Sequence, residues 1–138
     1  MTAKEYLWQI RILETKIRRR MMQVEELHAL ATCMGSLSPT DRVQSSPDGD
    51  KMSGYVTKWT DMERETVRMI DDLTCLKNKI IGQIHMLDNE KHIQILEMRY
   101  IDKETFEQIA VTMHMDIRHV FRLHGYALQE FAKKVDLS

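Results

Sequence analysis

From Trp59 to Leu87 one set of positions recurs three or four apart: Trp59, Met62, Thr66, Met69, Leu73, Leu76, Ile80, Ile84 and Leu87. Sustained alternation of threes and fours is a heptad seam, so this run is a helix and a coiled-coil candidate, about 45 Å long at 1.5 Å per residue. A strand would need alternation of period two. A second helical run precedes it, from Tyr6 to about Met34, through Leu7, Ile10, Leu13, Ile17, Met21, Val24, Leu27, Leu30 and Met34. Between them, Gly35 to Gly54 holds both prolines, three of the five glycines and five serines. Such a stretch buries too little to offset its ordering entropy and reads as a flexible connection. Two long helices so joined form an antiparallel hairpin most simply, and because each buries only one seam, a second copy is expected to cover the rest, giving a homodimer.

Composition narrows the classes without choosing a function. The 138 residues suit one domain, or a small domain with an appendage. Eleven Met and plentiful Glu, Lys, Arg, Gln and Leu favour an all-α protein. With 20 Lys and Arg against 21 Asp and Glu, the net charge of −1 exerts no global pull on nucleic acid or anionic membrane, so any such contact must be local. Cys33 and Cys75 form no CxxC pair and no run reaches a membrane span, and with Lys4 and Glu5 near the start no secretory leader is expected. A cytoplasmic protein with free thiols and no membrane contact is expected.

After Leu87 the seam breaks at Asp88-Asn89, which offer N-caps for a shorter helical run from Lys91 to Tyr100 carrying Ile93, Leu96 and Met98 inward. Thr105 with Gln108 makes a capping box for a helix from Phe106 to Met113. Asp116 stands at the N-cap of the next helix, which carries Ile117, Val120, Leu123, Ala127, Leu128 and Phe131. The expected organisation is a helical hairpin over 1–88, with its flexible connection at 35–54, and a three-helix domain over 89–138.

The break His114-Met115-Asp116 between the last two helices fits a helix-turn-helix. Such a unit needs a small residue at the helix crossing, apolar inner faces and a turn of three or four residues. Ala110 suits the crossing; Ile109, Met113, Met115, Val120 and Leu123 supply the inner faces. His114 stands where the turn usually has Gly, and His tolerates positive φ at a cost of about 1 kcal/mol. With Val120 turned inward and about 100° per residue, Arg118 and Arg122 point outward on one stripe with Gly125 beside them. His119 and Tyr126 flank one side and Phe121 the other. The planar fork of Arg grips phosphate or a guanine edge in the major groove. No acidic residue lies between Ile117 and Gln129, although Lys91 to Ser138 sums to seven basic and seven acidic side chains.

The segment Ile95-Leu96-Glu97-Met98-Arg99-Tyr100-Ile101-Asp102, with Thr105-Phe106-Glu107-Gln108-Ile109-Ala110, Asp116-Ile117-Arg118-His119-Val120 and Ala127-Leu128, resembles region four of sigma-70-type RNA polymerase sigma factors. The ending Arg118 to Leu128 is similar to small phage and prophage regulators of the ArpU type, in which this module follows an N-terminal coiled coil. The resemblance covers about the last 45 residues, and the first 88 only as architecture. It implies a promoter-contacting helix-turn-helix in a bacterial cytoplasm, with double-stranded DNA as partner and RNA polymerase as a second. Arg118, His119 and Arg122 would then lie on the reading helix. Phe121, Tyr126 and Thr105, at the start of the preceding helix, complete the candidate contact set. Asp116 departs from the family's usual Ser cap, and a carboxylate there repels phosphate unless capping engages it.

Each motif also has a plainer reading. The last three helices are compatible with a packing module that binds no DNA, within a coiled-coil adaptor that docks on RNA polymerase or a phage component. Arg18-Arg19-Arg20 fan out at 100° intervals beside Glu14, Glu25 and Glu26, which reads as a solvated helix face. Glu25 and His28 have a di-iron spacing without its second copy. His114, His119 and His124, five apart, share no helical face. No metal, cofactor or catalytic site is expected, since no phosphate loop and no nucleophile with an adjacent base occurs.

Overall fold

A computed structural model describes residues 1–35 and 45–137, with side chains described outside 33–52. The protein is all-α: α1 is Ala3–Gly35, α2 Ser45–Ile84, α3 Glu90–Leu96, α4 Phe106–Met113 and α5 Ile117–Lys134. Glu97–Ile101 forms a π-helical segment directly after α3. Among the described residues no helix is long and apolar enough to cross a membrane.

Helix α1 begins three residues before the expected Tyr6 because Thr2 and Glu5 form a capping box. Glu5 Oε2 accepts from Thr2 N at 2.9 Å, and Thr2 Oγ1 accepts from Glu5 N at 3.2 Å. The hydrogen bond from Thr2 N holds the Glu5 carboxyl below its ordinary value. Helix α2 starts at Ser45, inside the stretch read as a flexible connection. Pro47 falls in its first turn, where a missing N–H leaves no intrahelical bond unmade. The remainder of that expected connection, residues 36–44, lies outside the described residues.

The seam expected in α2 is the one observed. Thr66, Ile80 and Ile84 are buried and Trp59, Met62, Met69, Leu73 and Leu76 half-buried; Leu87, expected to close the same helix, is buried three residues beyond its end. In α1 the seam departs from expectation: Ala31 is buried whereas Leu30 and Met21 are 44% and 49% exposed. Ala3, Leu7, Ile10, Ile17, Val24 and Ala31 keep a strict heptad. Two successive steps of three from Val24 to Leu30 rotate the side chain about 120° off the seam.

The chain groups into two compact units, one of Met1–Leu13 with Leu73–Ser138 and one of Glu14–Asp72, rather than dividing at residues 88 and 89. In the second unit, Arg20 pairs with Glu65 at 3.3 Å and the His28 ring lies 4.6 Å from that of Trp59. Contacts that advance along α1 thus retreat along α2, so the two segments run antiparallel there. Thr66, buried in this seam, satisfies its hydroxyl by donating to Met62 O at 2.7 Å.

In the first unit the start of α1 and the end of α2 pack with α3, α4 and α5 around one core. It includes Leu7, Ile10, Ile80, Ile84, Ile95, Leu96, Ile109, Val120 and Phe131, each with 1% exposure or less. The unit spans the expected boundary because Leu7 and Ile10 lie far from α5 in sequence yet share its core. Asn89 caps α3, its Oδ1 accepting from Lys91 N at 2.9 Å. Lys91 to Tyr100 does not continue as α-helix. The Asp102 N–H bonds five residues back to Glu97 O at 2.9 Å, and the widened turn buries both Met98 and Tyr100.

Candidate nucleic-acid interface

Three local devices set α5 against α4. Thr105 Oγ1 accepts from Gln108 N at 3.2 Å and Gln108 Oε1 accepts from Thr105 N at 2.9 Å, which completes the expected capping box. Helix α4 stops at His114, whose φ of 54° and ψ of 46° are left-handed. The Met115 N–H then closes back on Ala110 O at 3.0 Å and the His114 N–H on Val111 O at 3.3 Å. Asp116 takes the extended N-cap conformation, but its side chain makes no capping hydrogen bond. Its carboxylate is exposed, stabilising the α5 N-terminus through the dipole alone.

The inner faces are those expected. Ile109, Val120 and Leu123 are buried, with Ala110, Met113 and Met115 packed against the same core. His124 is buried too, and here the five-residue His pattern conceals a core polar pair. Its Nε2 lies 2.7 Å from Tyr100 Oη, with the two rings stacked at 5.7 Å and Phe106 edge-on at 5.0 Å. Burial, helped by Arg99 and Lys4, pushes the His124 pKa down to about 4; burial pushes the Tyr100 phenol up to about 12. Both groups are therefore neutral at pH 7. Arg99 braces this region with its guanidinium 4.2 Å from the Phe106 ring and 5.6 Å from Trp8, and Nη1 donating to Glu104 O at 3.0 Å.

Arg118, His119 and Arg122 are exposed and enter no ion pair among the described residues. Arg118 and Arg122 share the outward stripe. His119, Arg122 and Tyr126 line a shallow pocket of about 250 Å³ floored by Leu123. Phe121, 50% exposed, belongs to the other flank, its ring edge-on to Phe106 at 5.0 Å. Thr105 sits apart at the α4 N-terminus, exposed, with its oxygen held by Gln108. The stripe also continues to Gln129 and Lys133, both exposed and eleven and fifteen residues beyond Arg118. Helical spacing alone could have found them. Lys134, in contrast, is tied to Asp88 at 3.0 Å. Among the described residues no three His, Cys, Asp or Glu side chains converge as a metal site.

An all-α chain with two helices set across a three-residue turn is the class these elements define. Residues 43–132 match the family described as "Protein of unknown function (DUF1492)", and the chain belongs to that family. The match includes all of α3 and α4 and α5 as far as Ala132. No curated protein and no solved structure matches the chain.

Proposed function

We propose that this protein is a DNA-binding transcription regulator of phage or prophage type that reads the major groove through α5. The observation that carries this reading is the outward stripe. Arg118 and Arg122 are exposed and without ion-pair partners among the described residues, on a helix free of acidic residues from Ile117 to Gln129. Arg is the side chain whose geometry serves both phosphate and guanine. The left-handed turn at His114 and the buried Ile109, Val120 and Leu123 support a recognition helix held on a scaffold helix. Binding rather than catalysis is the role, in the bacterial cytoplasm, on double-stranded DNA as a homodimer formed through α1 and α2. RNA polymerase is the second partner, as the likeness to sigma region four implies.

The test is fluorescence anisotropy with phage intergenic duplexes across a series of salt concentrations. Replacing Arg118 and Arg122 by Ala should abolish sequence-specific binding. It should also flatten the log–log salt dependence by about 0.9 for each phosphate no longer neutralised. Unchanged binding refutes the assignment.

A second reading, an adaptor that docks on a protein, draws on apolar exposure around the same helix pair. Val111 is 75% exposed, Tyr126 58% and Phe121 50%. Retained capture of RNA polymerase by a chain that binds no duplex would favour it.

A further inference from the structure

The two faces of the Glu14–Asp72 unit differ in kind. One is polar, a surface lined by Lys16, Arg19, Arg20, Gln23, Glu65 and Met69 and closed by the Arg20–Glu65 pair. The other is an apolar groove of about 320 Å³, lined by Met21, Val24, Glu25, Glu63, Thr66, Val67 and Ile70. Met21 and Val67 are 49% and 57% exposed there, and a half-exposed apolar strip on paired helices is the surface a further helix covers.

Charge along the groove selects the occupant. Glu25 lines it, and Arg18, seven residues earlier, occupies the same heptad stripe of α1. The two flank Met21 three residues before and four after, with opposite signs. Neither is in an ion pair among the described residues. A stripe that reads basic, apolar, acidic is complementary to itself when turned end for end. Arg18 of one copy then meets Glu25 of the other, twice, about a two-fold axis at Met21. Such an isologous contact is the commonest way two identical chains close on each other, and flanking charges of this type set helix orientation in coiled coils.

We infer that the Met21, Val67 and Ile70 groove is the dimer interface, occupied by the same groove of a second copy with the two α1 helices antiparallel across Met21. The inference rests on the homodimer reading above and is independent of the DNA reading.

Sedimentation equilibrium of the full chain, with circular dichroism to follow helix content, tests it. The wild type should be a dimer at micromolar concentration, and Val67→Glu should raise the dissociation constant at least tenfold. Arg18→Glu and Glu25→Arg should each do the same by opposing like charges, whereas the double variant Arg18→Glu/Glu25→Arg should recover the dimer. Mixing the two single variants should yield heterodimers, because each then supplies the charge the other lacks. A wild-type monomer overturns the homodimer reading itself. A dimer indifferent to Val67→Glu and to both charge reversals, or singles that fail to pair on mixing, overturns this face and leaves the homodimer standing.

Discussion

Tyr100 Oη and His124 Nε2 meet at 2.7 Å inside the core that carries α5, joining the π-helical segment to the candidate reading helix across 24 residues of sequence. Both side chains are buried, and each supplies the other's polar partner. Removing one leaves the other buried and unsatisfied, which costs about 1–3 kcal/mol. Tyr100→Phe should therefore destabilise the fold by that amount in urea unfolding. His124→Phe in the Tyr100→Phe background should cost less than the sum of the two single changes, as a double-mutant cycle reads it.

The same pair makes stability pH-dependent. With a folded pKa of about 4 against an ordinary 6.5, His124 takes up its proton more readily in the unfolded chain. Its contribution is complete above pH 6.5 and is lost as pH falls toward 4. The slope there is at most about 1.4 kcal/mol per pH unit. Unfolding free energies between pH 7 and pH 4 should fall with acid in the wild type and fall less in His124→Phe.

This pair is not legible in the sequence, because nothing in a His placed 24 residues from a Tyr announces a hydrogen bond. What is legible is what period alone determines. The α2 seam alternates threes and fours from Trp59 to Ile80, and every one of its positions is buried or half-buried. The α1 seam mixes consecutive steps of three, so small Ala31 rather than larger Leu30 keeps the register. The turn at His114 and the box at Thr105 and Gln108 are readable because each depends on local residue chemistry. The π-helical segment is not, since one residue inserted into a helix turn leaves no composition signal. Lys133 differs again: Arg118 and Arg122 define the outward stripe within about one turn, and the stripe runs on for four.

Thr105 separates capping from contact. Its oxygen receives the Gln108 N–H, so Thr105→Ala leaves that donor unpaired and should cost about 1 kcal/mol. Thr105→Ser retains the cap and should restore the stability in thermal unfolding. Where the hydroxyl also donates to a phosphate, Ser restores DNA affinity in parallel.

Asp116 carries a charge that the fold does not use for a hydrogen bond. Asn is as good an N-cap residue and is neutral, so Asp116→Asn should alter stability by less than about 1 kcal/mol. Removing a negative charge beside a phosphate is worth about 1 kcal/mol at close range in water, or about fivefold in affinity. Anisotropy titrations should show that gain at low salt and its decline as salt screens it. Equal affinities of the wild type and Asp116→Asn at low salt would place the start of α5 away from the duplex.

Gly125 provides a test in which stability and binding move in opposite directions. It follows Arg118 by seven residues, close to the same stripe of α5, in ordinary helical conformation, and a Cβ built on it meets nothing within 4 Å. Within the chain, then, Gly has no steric reason to be there, and Gly125→Ala should stabilise the helix by about 0.5–1 kcal/mol. On the proposed reading face the missing side chain lets a sugar-phosphate backbone approach the helix, so the same substitution should weaken duplex binding. Gly82 in α2 is equally open, with nothing within 4 Å of an added Cβ. Gly82→Ala is thus the control: it should raise the thermal midpoint and leave DNA affinity alone. If Gly125→Ala also gains stability without losing affinity, the duplex does not approach α5 at that point and the major-groove pose fails there.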